Sequence, residues 1–235
     1  MNRTAWIIIA LAVVVGLGGL VFFTKKDQVD VNQVDPWKLV ESTESELGDN
    51  VYGKTDSKVV LIEYADYQCG GCAAANGKMS GIKEIYKDKI TYVFRHFPLT
   101  NGHPNALAAA TVAEAAGLQG KFWEMTDHLY ANQQDWSGLS AEKRGSVFES
   151  YAQQMGLNME KFRSSLTDGR IQRKISLDRA LAGKVRVNET PTFFIGNEKM
   201  SNEVVTDIMQ ADGKQLMDRL DAALKAAGET PPARN

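Results

Sequence analysis

Two cysteines stand in this 235-residue chain, and only two residues separate them: Cys69-Gly70-Gly71-Cys72. A structural staple is a poor use of that spacing. Closing a loop of four residues stabilises a fold by about 2 kcal/mol, against roughly 4.7 kcal/mol for a loop of 100. A zinc site needs four ligands, commonly supplied in spaced pairs. Besides the cysteines the chain has His96, His103 and His128, and no two of them are three to five residues apart in an H-x-x-x-H pattern. No metal ligand is therefore expected, and each histidine reads as a polar loop or surface residue. What remains is thiol–disulfide chemistry, the usual meaning of C-x-x-C beside a strand–helix–strand pattern.

Position assigns the two sulfurs different work. Val59 to Ala65 (VVLIEYA) is an apolar run rich in β-branched residues, suited to a strand buried on both faces. Ala73 to Tyr86 reads as a helix and Ile90 to Phe97 as a second, parallel strand. The pair thus lies where a strand gives way to a helix. Cys69, at the helix amino end, has N–H groups and the helix dipole to favour its thiolate, which makes it the nucleophile. Cys72, one turn in, should be buried and resolve the mixed disulfide.

The elements around this unit follow from periodicity. Asp35-Pro36 is a helix-start signal, which predicts a short helix over Trp37 to Ser45, and Gly53 to Ser57 reads as a loop. The middle of the chain is helical: Asn105 to Gly117, then stripes carrying Phe122, Met125 and Leu129, then Val147, Tyr151 and Met155. Asn158 is placed to cap a helix carrying Phe162 and Leu166. These aromatic and methionine stripes are expected to be core. Thr192 to Ile195 (TFFI) predicts a strand with a hairpin partner starting at Lys199 and Met200, and Gln215 to Ala227 a final amphipathic helix. From Gly228 to Asn235 the tail is expected to be disordered.

At the amino end, Ala5 to Phe23 is an apolar run of 19 residues without a convincing cleavage site. It is long enough to cross a bilayer and predicts an uncleaved signal-anchor over residues 1–23. Residues 24–57 then form a tether and arm. Flanking charge does not orient this segment; a disulfide-exchanging pair suits an oxidising compartment, so the catalytic domain is expected on the extracytoplasmic side of a single-pass cell-membrane protein. With 27 basic and 29 acidic residues, net charge −2 and no basic block, nucleic acid is not an expected partner.

Together the stretches VVLIEYADYQCGGC, YVFRHFPL with HPNALAAA, KFWEMTDHLYANQQ and VNETPTFFIGN resemble the DsbA-like branch of the thioredoxin superfamily, over roughly Val59 to Leu224. The resemblance implies an α/β thioredoxin-like domain over 58–227 with a helical insertion at about 103–178. It also implies a protein disulfide oxidoreductase that acts on exported cysteine-containing proteins as a monomer, without a bound cofactor, and is reoxidised by a quinone-coupled membrane partner. An extracytoplasmic reductase or isomerase is the alternative, and a non-enzymatic thioredoxin-like binding module a third.

Further residues carry over by position. The family's acidic residue six places before the first cysteine is Glu63 here. Desolvated in an apolar strand, its carboxyl should hold its proton unusually well and exchange it with Cys72. Thr190-Pro191 matches the family's cis-proline facing the dithiol. Thr190 would offer backbone groups to an extended substrate, with Gly70 and Gly71 lining the same place. The Gly70-Gly71 spacer departs from many relatives, which carry proline and then a larger side chain. With no side chain there to stabilise the Cys69 thiolate, a weaker oxidant is expected.

Overall fold

The computed structural model describes residues 31–234. The chain divides into two units, at Val34 and Asp35. Of the first, the described part is Val31–Val34, with a 3-10 turn over Val31–Gln33. The signal-anchor expected over residues 1–23 lies outside the described residues, as does most of the tether. Among the described residues no helix is long and apolar enough to cross a membrane.

The second unit opens with an irregular stretch that leads into β1 (Asn50–Gly53). The predicted unit follows: β2 (Val60–Ala65), α1 (Gly70–Tyr86) and β3 (Thr91–His96). Next come the helices of the insertion: α2 (Ala106–Gly117), α3 (Phe122–Ala131), α4 (Gln133–Trp136), α5 (Ala141–Gln154), α6 (Met159–Ser165) and α7 (Gly169–Lys184). The chain then returns through β4 (Thr192–Ile195), β5 (Glu198–Lys199), α8 (Asn202–Gln210) and α9 (Lys214–Ala226). The sheet order is β1-β3-β2-β4-β5. β2 is central, parallel to β3 and antiparallel to β4. β3 is buried along its whole length, and so is β2 beyond Val60.

Side chains alternate across the sheet with the period of two that a strand imposes. Leu61, Tyr92 and Phe193 pack with α1, α8 and α9 on one face. Ile62, Tyr64, Val93 and Phe194 pack with Ala182 of α7 on the other. Glu63, two residues from Leu61, therefore lies on the α1 face, the face that carries the dithiol.

Three expectations for this unit change. Trp37 to Ser45 is not a helix. Asp35 does start a turn, with Trp37 N–H donating to its Oδ1 at 3.0 Å. The carbonyls that a helix would use are taken: Pro36 and Lys38 both accept from the buried Arg95 guanidinium, at 2.6 and 2.9 Å. The same arm supplies β1, which pairs antiparallel with β3 and was not legible as a strand. The tail expected to be disordered lies against α9, where Arg234 donates to Asp218 at 3.0 Å and also contacts Asp221.

Helix α7 brings Lys174 and Asp178 inward beside Asp49 and Arg95, and all four side chains are fully buried. Arg95 binds Asp49 at 2.8 Å, and Lys174 reaches Asp49 at 3.4 Å and Asp178 at 2.5 Å.

Candidate active site

β2 delivers the chain to a short turn, and α1 starts one residue after Cys69. Cys69 is the helix N-cap, with the extended dihedrals φ −74° and ψ 122° that aim the first-turn N–H groups back toward it. Its sulfur is half-buried, whereas Cys72 is fully buried, and both are free thiols. Because β4 lies beside β2, the loop before β4 arrives over the helix end. There the Thr190–Pro191 bond is cis, and Cys69 Sγ donates to the Thr190 carbonyl at 3.4 Å. The two spacer glycines differ. Among the described residues nothing lies within 4 Å of a Cβ built on Gly70. One built on Gly71 meets Met209 Sδ at 3.1 Å, Pro191 Cδ at 3.4 Å and Cys69 Sγ at 3.7 Å. An open groove of about 240 Å³ is lined by Thr190, Pro191, Met200, Val205 and Met209.

These surroundings separate the two thiols. The Cys69 pKa falls from 9.0 to about 5. The hydrogen bond from Cys72 is the largest cause, burial opposes it, and the Thr190 side chain and the Cys72 and Gly71 N–H groups add to it. The Thr190 hydroxyl is buried and otherwise without a partner among the described residues. It acquires an acceptor when Cys69 becomes a thiolate. The Gly-Gly spacer has no side chain that contributes; the Cys72 thiol, Thr190 and the backbone donors of the helix start supply the stabilisation that is present. Cys72 is pushed well above 9, first by burial and then by the bond to Cys69 and the charges of Cys69 and Glu63.

Glu63 is buried between Phe94 and Phe193 of the flanking strands. Burial raises its pKa to about 7, against the opposing pull of the Tyr92 hydroxyl, which donates to Oε2, and of the Lys83 charge. Lys83 is committed elsewhere. Its ammonium lies 3.4 Å from Asp127 Oδ1 and 4.7 Å from the Trp123 ring centre.

Several residues here carried no assignment from the sequence. Asp66 is buried, and its main chain touches both cysteines: its N–H points at Cys72 Sγ (3.5 Å) and its carbonyl accepts from Cys69 N–H (3.1 Å). From the insertion, Gln133 Nε2 donates to the carbonyls of Tyr67 and Cys69 at 2.8 and 3.0 Å. The Asn105 N–H donates to Gln68 Oε1 at 2.7 Å. These positions fall inside the quoted stretches DYQC, HPNA and YANQQ, so the string marked them while their contacts stayed hidden. Of the histidines, His103 is the part-exposed loop residue expected, whereas His96 is buried in a strand and His128 lies in α3. His96 is fully buried on Glu114 (2.8 Å), His103 is tied to Asp66 (2.7 Å), and His128 packs edge-on to Tyr151.

A C-x-x-C dithiol at a helix start, faced by a cis-proline loop on a thioredoxin-like sheet with a helical insertion, is the constellation of a DsbA-like thiol–disulfide oxidoreductase. The chain belongs to the thioredoxin family: residues 45–218 match the family described as Thioredoxin. Among solved structures, Wolbachia pipientis alpha-DsbA1 is similar at 25% identity and TM-score 0.61, over 76% of this chain and 92% of that one. Bacillus subtilis BdbD matches in fold at 19% identity and TM-score 0.61, over 75% of this chain and 93% of that one. A curated relative from Mycolicibacterium gilvum, named Na(+)/H(+) antiporter NhaA 1, is 34% identical over 155 residues, 64% of this chain. The match spans about a quarter, 24%, of that relative's length, so its name describes a much larger protein.

Proposed function

We propose that this protein is a disulfide donor: it oxidises cysteine pairs in exported proteins by passing on a Cys69–Cys72 disulfide. The observation that carries this is the split between the two thiols. With a pKa near 5, Cys69 is almost entirely thiolate at pH 7 once reduced. Ionisation then favours the dithiol form by about a hundredfold, roughly 60 mV for a two-electron couple. A stabilised reduced state makes the disulfide a stronger oxidant.

In this reading a substrate thiolate attacks Cys69 Sγ, the more accessible of the two sulfurs. The Cys69–Cys72 bond breaks and its electron pair leaves on Cys72. Glu63, poised near neutrality, gives Cys72 its proton. A second substrate thiolate then attacks the substrate sulfur of the mixed disulfide and releases Cys69 as a thiolate. Thr190 and Pro191 hold the extended substrate over Cys69, and Gly70 and Gly71 keep the approach open. Residues 5–23 anchor the domain to the membrane on its extracytoplasmic side, where a quinone-coupled membrane partner restores the disulfide. The domain works as a monomer.

Redox titration against glutathione, read by alkylation of the free thiols, tests the direction. The potential should lie above that of thioredoxin, roughly −270 mV. A value at or below it points to the reductase or isomerase alternative.

A further inference from the structure

Asp66 touches both cysteines through its main chain, and two of the three hydrogen bonds on its side chain come from outside the dithiol turn. The carboxylate is fully buried and accepts three hydrogen bonds of 2.7 Å. One comes from Gln68 N–H, two residues on, as in an ordinary Asx turn. The other two come from the loop after β3: Leu99 N–H and His103 Nδ1. Phe97 N–H, from the same loop, donates to the Ala65 carbonyl at 2.8 Å. The peptide unit joining Ala65 to Asp66 is therefore fixed from both ends by one loop. That peptide unit carries the N–H aimed at Cys72 Sγ.

We propose that Asp66 is the positioning residue of the resolving thiol, and that His103 holds it in place from the 97–103 loop. The inference rests on the exchange reading above. In either direction of exchange, Cys72 passes through a thiolate in a fully buried setting. When the Cys69–Cys72 bond breaks, the electron pair departs on Cys72 Sγ. When Cys72 attacks a mixed disulfide on Cys69, the same sulfur must first be an anion, and the substrate leaves as a thiolate. A buried anion needs a donor, and hydrogen bonds to charged groups are the strong ones. The Asp66 N–H lowers the cost of ionising Cys72. Its aim depends on a carboxylate that His103 and Leu99 keep in register.

The full chain, reduced, is mixed with a cysteine peptide activated as its 2-pyridyl disulfide. Thiopyridone release reports capture of the peptide by Cys69, and peptide release reports attack by Cys72. His103 is part-exposed, so its substitution leaves the core intact. His103→Leu should slow peptide release about tenfold, with capture changed by about twofold at most. His103→Gln, which restores an N–H donor, should recover most of that loss. Asp66→Ala should slow release more than His103→Leu does. Equal slowing of both phases makes Asp66 and His103 merely structural and overturns the proposal, as does unchanged release in His103→Leu. Absence of capture by the wild-type chain instead overturns the exchange reading itself.

Discussion

Two buried carboxylates lie on opposite faces of the sheet and behave in opposite ways. Burial raises Asp49 too, but the Lys174 charge and the bidentate Arg95 outweigh it and hold Asp49 below its ordinary value. Glu63 is equally dry and has one hydroxyl donor and a lysine turned toward Asp127. Burial prevails there, and its pKa rises to about 7. Depth alone therefore does not mark a reactive acid. The informative feature is a buried charge left incompletely matched, and on this molecule it lies behind the dithiol.

The largest test of the contrast is on the matched side. Asp49→Ala leaves the buried Arg95 without a carboxylate and Lys174 with Asp178 alone, and should cost about 3–5 kcal/mol of stability by urea unfolding. A loss under about 1 kcal/mol would show that the cluster is not what it looks like.

On the other side the sign reverses. The folded-state pKa of Glu63, about 7, exceeds its value of 4.5 in the unfolded chain. The native state then holds the extra proton between those limits, and stability falls as pH rises from 4.5 to 7. Relative to Glu63→Gln, the wild type should lose about 3 kcal/mol over that window and change little above it. Parallel curves for the two proteins would erase the distinction between the carboxylates.

Activity gives the next effect. Glu63→Gln cannot shuttle a proton and should slow Cys72-dependent exchange at pH 7 by about a hundredfold, the lower end for a general acid–base group. Capture by Cys69 should be unaffected.

The smallest effect sharpens how matching works at the thiol itself. Thr190→Val removes one donor among several and should raise the Cys69 midpoint, about 5 in the wild type, by about one unit or less. The pH dependence of iodoacetamide alkylation measures it. A larger shift would make Thr190, not Cys72 and the helix N–H groups, the main stabiliser.

Much of this frame was legible because it rests on periodicity and local chemistry. The run VVLIEYA, the cysteines at the helix start and TFFI have strong short-range signals, and β2, α1 and β4 fall within a few residues of their predicted places. What escaped depends on distant partners. Trp37 to Ser45 had a helix start, but Arg95, some 57 residues away, claimed the Lys38 carbonyl. β1 has four residues and no alternation of its own; pairing with β3 makes it a strand. At the site, Cys69, Cys72, Glu63 and Pro191 could be placed by motif and resemblance. Asp66 and Gln133 act through hydrogen bonds that no spacing rule encodes.

The bond between Cys69 Sγ and the Thr190 carbonyl spans 121 positions in the chain. A ribosome adds about 5–20 residues per second, so the dithiol turn leaves it several seconds ahead of its lid. Until β4 pairs with β2, the turn has neither the Thr190 hydroxyl nor the cis-proline loop. The newborn chain carries its reactive cysteines unfinished, and the site becomes complete only when the domain closes.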